Sequence, residues 1–377
     1  MRETELKRLI AEEFLSVIQD PRIDRTRKHP LETILVISLL AVICGADSIV
    51  DIENYAKSRQ QWLETFLDMP AGVPSHDTIG RLFAALNPAM LALAFQRWTA
   101  AMASASKEKL IAIDGKTLRR AFKQAGDGVF VHMVSAWSSA NGVVLGQVQT
   151  EEKSNEITAI PKLLDLIDVK STLVTIDAAG TQVEIAQKIV DQGGDYLLAV
   201  KGNQPTLHQA MVRHFEGIGR VYNKFERAET HDHAHGRDEM RRVDIGHAIE
   251  EIESVERWPK LATLIHIEST RTVKGVTSTE HRYYISSRRK LSAQQALAAV
   301  RSHWGIENEL HWVLDVAFRE DDCRLRAGNA AANFSAVRQL ALGLLKKRTE
   351  QKGGIKARRL VAGWNNDFLL QVIGLQP

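Results

Sequence analysis

Apolar residues recur at helical spacing between residues 4 and 20, at Leu6, Leu9, Ile10, Phe14 and Ile18, and predict an amphipathic helix. The segment Asp20-Pro21-Arg22-Ile23-Asp24-Arg25 breaks it. After Pro30 an almost unbroken apolar stretch runs from Ile34 to Ala46. It falls short of the roughly 18 residues that span a bilayer and reads as a buried helix. Asp47 opens another helical stretch carrying Ile49, Ile52, Tyr55 and Ala56, and Pro70, Gly72 and Pro74 then punctuate the chain. Ser75-His76-Asp77-Thr78 starts a helix that turns Ile79, Leu82 and Leu86 inward. Residues 1–105 are therefore expected to form an all-helical domain.

The period changes after Lys109. Leu110-Ile111-Ala112-Ile113 is a short apolar run ending at Asp114, and Phe130–Trp137 and Val143–Thr150 read as strands joined by a turn at Asn141-Gly142. Helical spacing over Ile157–Ile167, a strand Thr172–Ile176 ending at Asp177, a helix Val183–Gln192 and a strand Asp195–Val200 follow. Strands alternating with helices define an α/β core, placed at 106–204 and completed by helices in 291–377, over Ala296–Val316 and Ala330–Lys347. Between them, 205–290 carries a charged, histidine-bearing stretch from His231 to Arg242 and alternating runs at Leu264–Ser269 and His281–Ser286. It reads as a β-rich insertion.

Composition adds little to this picture. The chain is 44% hydrophobic and 25% charged, with a net charge of only +3, so a sizeable core is expected and any nucleic-acid contact must come from local clusters. Cys44 and Cys323 form no disulfide framework or zinc signature. Together with the absence of a spanning segment, they lead us to expect a cytoplasmic protein with no membrane role.

The candidate chemistry is carboxylate chemistry. Ile113-Asp114-Gly115-Lys116 and Ile176-Asp177-Ala178-Ala179-Gly180 each put an aspartate at the end of an apolar strand. Such an aspartate can simply begin a turn. Two on neighbouring strands can instead share divalent metal, which activates a water or a 3′-hydroxyl against a phosphodiester. A third element, from Arg301 to Asp315, reads as a helix with His303, Glu307 and His311 on one face. Trp304, Leu310, Val313 and Leu314 supply its packing. Taken alone, it is better read as an amphipathic helix with a solvated polar face.

Ile113-Asp114-Gly115-Lys116-Thr117, Ile176-Asp177-Ala178 and His303-Trp304-Gly305-Ile306-Glu307-Asn308 together resemble the H-repeat-associated group of bacterial insertion-sequence DDE transposases. The resemblance extends to Lys201-Gly202-Asn203-Gln204, His235-Gly236-Arg237, Tyr284-Ile285-Ser286-Ser287, Leu310–Val316, Asp20-Pro21-Arg22 and Lys28-His29-Pro30-Leu31, and so covers nearly the whole chain. It implies an RNase H-like catalytic core with a β-rich insertion, behind a helical N-terminal domain that grips the element's ends through Arg22, Arg25, Arg27, Lys28 and His29. Asp114, Asp177 and Glu307 would be the catalytic metal ligands, for Mg2+ or Mn2+ in its place. DNA would be the partner, cut at the terminal repeats and joined to target DNA by a homodimer assembled on it. Glu309 would point away from the metal.

The sequence also departs from the wider superfamily. Val300, His303 and Leu314 stand where many relatives carry tyrosine, arginine and lysine on the last helix. Phosphate contacts would then fall to Arg301, His303 or His311. These departures leave two other readings open: a nuclease without strand transfer, and a DNA-binding relic without catalysis.

Further DNA contacts are expected at Lys116, Lys201, Asn203 and Gln204, though strand ends and plain loops carry the same residues. His231, His233 and His235 invite a zinc reading that no cysteine or carboxylate spacing supports. Arg227, His235, Arg237, Arg241 and Arg242 are better read as a DNA-facing surface or a solvated loop. The basic residues from Arg324 to Arg359, including Arg338, Lys346, Lys347, Arg348 and Arg358, also fit phosphate contacts.

Overall fold

The computed structural model describes residues 17–102, 110–122, 130–150, 156–216, 225–234, 236–247, 249, 252 and 255–374. The helix expected over residues 4–20 lies almost wholly outside them. The chain forms two compact units: one gathers Met1–Lys107, Gly115–Asn155 and Glu307–Pro377, the other Glu108–Asp114 and Glu156–Ile306. This grouping differs from the linear division into 1–105, 106–204, 205–290 and 291–377, because the most apolar helices come from opposite ends of the sequence and cover one another.

In the first unit, α1 (Leu31–Ile43), α2 (Ile49–Ser58) and α3 (His76–Ala85) occupy the predicted positions, and α4 (Pro88–Met102) follows them as a helix not individually predicted. α1 is buried from Thr33 to Ile43, as expected for a helix apolar on every side. Ser48 and Asp51 form a reciprocal capping box on α2, and Ser75 caps α3 by accepting the Thr78 N–H. Strand β1 (Leu110–Phe122) is common to both units, and its second half joins β2 (Phe130–Ser138) and β3 (Val143–Thr150) in the order β3-β2-β1. Gly142 turns the β2–β3 hairpin with φ of +62°. The unit closes with α9 (Trp312–Phe318), α10 (Ala330–Lys346), α11 (Ile355–Trp364) and α12 (Asn366–Val372).

Helix α10 organises this unit. It is buried from Ala330 to Leu345 and packs against α1, α3, α4 and β3. Asn333 donates from Nδ2 to the carbonyls of Phe83 (2.7 Å) and Leu86 (2.9 Å), satisfying the open end of α3. Arg338, 0% exposed, lies 4.1 Å over the Phe334 ring and donates to the Asp47 carbonyl at 2.9 Å. Arg359 on α11 donates to Val42 and Ala46 carbonyls and to Asp47 Oδ1 at 3.0 Å, closing the end of α1. Arg358 donates to the Leu345 carbonyl at 3.0 Å. Much of the C-terminal basic cluster therefore holds the fold together and does not face phosphate, correcting that expectation.

In the second unit, the first half of β1 is followed by α5 (Glu156–Leu164), β4 (Leu173–Ile176), α6 (Val183–Asp191), β5 (Asp195–Val200), α7 (Pro205–Phe215), β6 (Glu226–Ala234), β7 (Arg237–Gly246), β8 (Thr263–Val273), β9 (Val276–Ser286) and α8 (Ala293–Gly305). The strand order is β1-β4-β5-β9-β8-β7-β6. β1, β4 and β5 are parallel, and β9 runs antiparallel to β5. The β-rich insertion thus extends the core sheet. Val243, Ile245, Ile265 and Ile267 of the insertion share one apolar cluster with Leu173, Leu197 and the Ala296, Leu297 and Val300 face of α8.

The helix expected over Ala296–Val316 is interrupted. After α8 a π-helical turn occupies Ile306–His311 before α9 begins. Such wide turns concentrate at functional sites. This one also breaks the regular phase on which the shared face of His303, Glu307 and His311 was predicted. Among the described residues no single helix is long and apolar enough to cross a membrane.

Candidate active site

Parallel register builds the heart of the site. Leu110–Ile113 pairs with Leu173–Ile176 one to one, ending at Ile113↔Ile176, so Asp114 and Asp177 are the next residues on neighbouring strands. Equivalent positions on adjacent strands point to the same face of the pleat. Asp114 does not end its strand, as expected from sequence; β1 runs on to Phe122 and it is β4 that stops.

The turn after Asp177 is tightly made. Asp177 Oδ1 accepts the Gly180 N–H at 3.2 Å, and Thr181 Oγ1 donates to the Ala199 carbonyl. A Cβ on Gly180 would sit 2.4 Å from Ile176 Cγ2 and 2.7 Å from Ile160 Cδ1, so only glycine fits. Asn203 donates to the Ala178 carbonyl and Gln204 to the Thr181 carbonyl at 3.0 Å. The Lys201-Gly202-Asn203-Gln204 segment, expected to touch DNA, thus braces the loop that presents Asp177. Lys201 is exposed. Burial raises the Asp177 pKa, and the Glu156 charge adds to this against the N–H groups of Gly180 and Ala179 and the charge of Lys201.

The last helix of this unit is fixed to the same strand. His303 Nδ1 lies 2.9 Å from Thr175 Oγ1, two residues before Asp177. Burial holds the His303 pKa down to about 4, so the ring is neutral near pH 7 and its role is to anchor α8. Arg301 pairs with Asp232 at 3.0 Å, and Trp304, expected to pack internally, is 38% exposed beneath the Arg282 guanidinium at 4.5 Å. Glu307 follows His303 by four positions and is exposed in the π-helical turn. It begins the last segment of the first unit.

Within that first unit, Lys116 is 11% exposed and sits between Asp315 (2.5 Å) and Glu320 (2.9 Å). Glu320, 1% exposed, also accepts from Ser335 at 2.8 Å. Lys116 is therefore the cation of a buried ion cluster and not a phosphate contact as expected. Burial lowers the His311 pKa to about 4, so near pH 7 the ring has no positive charge to offer a phosphate and only a neutral N–H to donate. Glu309 pairs with Lys346 at 3.0 Å. In the insertion, Arg227, Arg241 and Arg242 are paired with Asp244, Asp232 and Glu268 at 2.6, 2.7 and 2.5 Å. Arg237 is exposed at the β6–β7 turn, and His235 lies outside the described residues. Sequence reasoning missed Thr175, Gly180 and Glu320. Only Gly180 left a signal, as a glycine closing a strand–turn motif.

The residues suit a divalent cation. The register brings two aspartates to successive positions on neighbouring strands, and burial has pushed the Asp177 carboxyl toward needing a proton or a cation. Their oxygen donors match the hard-ligand preference of Mg2+.

Strands β1 to β5 in RNase H-like order, with aspartates where β4 stops beside β1, define an RNase H-like core. The family model described as "Transposase DDE domain" matches residues 105–344, and "DDE_Tnp_1-associated" matches 12–99. "Putative transposase YncI" of Escherichia coli O157:H7 is 40% identical over 365 residues, covering 96% of this chain and 93% of its own. "H repeat-associated putative transposase YhhI" of Escherichia coli K12 is 38% identical over 374 residues, covering 98% of each. A piggyBac transposase synaptic complex with hairpin DNA is similar with a TM-score of 0.45 and 8% identity, covering 98% of this chain and 80% of that one. The chain belongs to the DDE transposases, in their H-repeat-associated group.

Proposed function

We propose that this transposase cuts DNA at the ends of an insertion sequence and joins the freed 3′-hydroxyl to target DNA. One observation carries the reading: the Ile113↔Ile176 register sets Asp114 and Asp177 side by side, while His303 anchors to the same strand the helix that leads into Glu307. Mg2+ held by Asp114, Asp177 and Glu307 would supply Lewis acidity and lower the pKa of a bound water or hydroxyl. The protein's own part is positional. The Gly180 N–H and the Asn203–Gln204 brace fix the Asp177 carboxylate, and exposed Lys201 and Arg237 are the side chains we assign to DNA phosphates. The two ends of an element must be held together, so a homodimer on DNA is expected, acting in the cytoplasm.

Cleavage of a supercoiled plasmid carrying the gene's flanking repeats tests this, with wild type and Asp177→Asn side by side in Mg2+. Cutting at the repeat ends by wild type alone supports the proposal, and joined products establish strand transfer. Cutting without joining would reduce the protein to a nuclease. Repeat binding by both proteins with no cutting would overturn the catalytic reading in favour of a DNA-binding relic.

A further inference from the structure

A second cluster of donor atoms lies in the insertion. Among the described residues, Glu216, His266 and His281 each offer one ligand atom, all within 4.8 Å of one another. They come from three elements: Glu216 ends α7, His266 lies in β8 and His281 in β9. The register His266↔Tyr283 and Glu268↔His281 makes the two histidines diagonal neighbours on one face of the hairpin.

Their geometry is that of a partly assembled coordination shell. His266 Nε2 is 3.0 Å from His281 Nδ1, with the ring planes 5° apart, and His281 Nδ1 is 3.7 Å from Glu216 Oε1. These spacings bracket the edge of about 3.4 Å that a tetrahedron built on zinc–nitrogen bonds of about 2.0–2.1 Å requires. His266 is 1% exposed, and its far nitrogen, Nδ1, lies 3.8 Å from Oδ2 of the equally buried Asp244. At that distance the Asp244 carboxylate sets a negative charge behind the ring without a direct hydrogen bond, an electrostatic setting that favours a cation on the near nitrogen's side. Tyr283 donates its hydroxyl to Glu216 and stacks on His266, so the carboxylate is held in place as well. The open side belongs to His281 and Glu216, whose side chains are 40% and 39% exposed.

We infer that Glu216, His266 and His281 bind a divalent transition-metal ion of the zinc class, with Asp244 behind His266 and a fourth position open to water. Imidazole nitrogens favour zinc, cobalt and nickel over Mg2+, so this site is chemically separate from the Asp114–Asp177 pair. Binding would staple the end of α7 to the β8–β9 hairpin, whose strand β9 joins the core sheet at β5. The zinc reading of His231, His233 and His235 does not compete. His231 and His233 are exposed on β6, and His233 is bound to Asp238.

The test uses the full-length, tag-free protein stripped with chelator and titrated with Co2+, then Zn2+, in millimolar Mg2+. One equivalent of Co2+ should give the visible d–d absorption of a four-coordinate nitrogen–oxygen site, displaced by one equivalent of Zn2+. His281→Ala at an exposed position and Glu216→Gln at a half-buried one should each abolish the stoichiometric signal. His233→Ala and Asp177→Asn should keep it. No stoichiometric binding to wild type, or an unchanged spectrum in His281→Ala, would overturn the inference. A signal lost only in Asp177→Asn would reassign the ion to the other carboxylates.

Discussion

Acidification should loosen the anchor between His303 and Thr175 by a calculable amount. Burial is the main cause that lowers the His303 pKa to about 4 from an ordinary 6.5. The folded state therefore prefers the neutral ring, and the unfolded chain takes up the proton first. Stability from this residue is fully present above pH 6.5 and is lost as pH falls toward 4. Linkage puts the loss at about 2 kcal/mol between pH 7 and pH 5, and about 3 kcal/mol by pH 4. Carboxylates titrate over the same range, so wild type must be compared with His303→Gln, which keeps a polar group near Thr175 and cannot take up the proton. Urea denaturation at pH 7 and pH 5 should show wild type losing about 2 kcal/mol more than the variant. A wild-type-minus-variant difference that stays constant with pH would refute the reasoning. Because α8 leads into Glu307, repeat-end cleavage by wild type should fall over the same pH range more steeply than DNA binding does.

Other perturbations read other parts of the structure. Lys116→Ala would leave Glu320, 1% exposed, without its cation, at a cost of about 3–5 kcal/mol in urea denaturation; a loss under about 1 kcal/mol would mean the pair is solvated. Gly180→Ala drives a methyl into Ile176 and Ile160 and should cost about 1–3 kcal/mol in thermal or urea unfolding, with cleavage falling further than stability alone explains. Asn203→Ala with Gln204→Ala should lower Mg2+-dependent cleavage while leaving repeat binding by fluorescence anisotropy within about twofold; a lost binding signal would make these residues DNA contacts after all. Lys201→Ala and Arg237→Ala should each reduce the slope of log affinity against log salt by roughly one, and an unchanged slope would remove that residue from the DNA surface.

The frame of the site was legible because it depends on local pattern. Ile111–Ile113 and Leu173–Ile176 are apolar runs ending in aspartate, and once the fold pairs them in parallel and in register the two aspartates fall at equivalent positions. The buried helices were legible for the same reason, since a sequence apolar on every side has nowhere else to go. What escaped was every property fixed by a distant partner. Lys116 reads as a strand-end cation until the fold delivers Asp315 and Glu320 to it. His303 reads as a phosphate ligand until Thr175 meets it and burial strips its charge. The Glu216–His266–His281 cluster has no spacing signature, because a helix end and two strands supply its three members. Some of the misread arginines nonetheless carry a mark of their own. Arg338 is the one charge in the interior of α10, with Lys346 at its end, and its guanidinium ends buried over Phe334 and bonded to the Asp47 carbonyl. Arg241 and Arg242 stand on a strand with acidic residues on the strands beside it, and they end in ion pairs there. A charge isolated in an apolar run cannot be left without a partner, so it predicts an internal partner even when the sequence cannot name it. On that rule Arg338 stands apart from the basic cluster as a structural residue, whereas exposed Lys201 and Arg237, each beside a glycine in a turn, are the side chains we propose for phosphate.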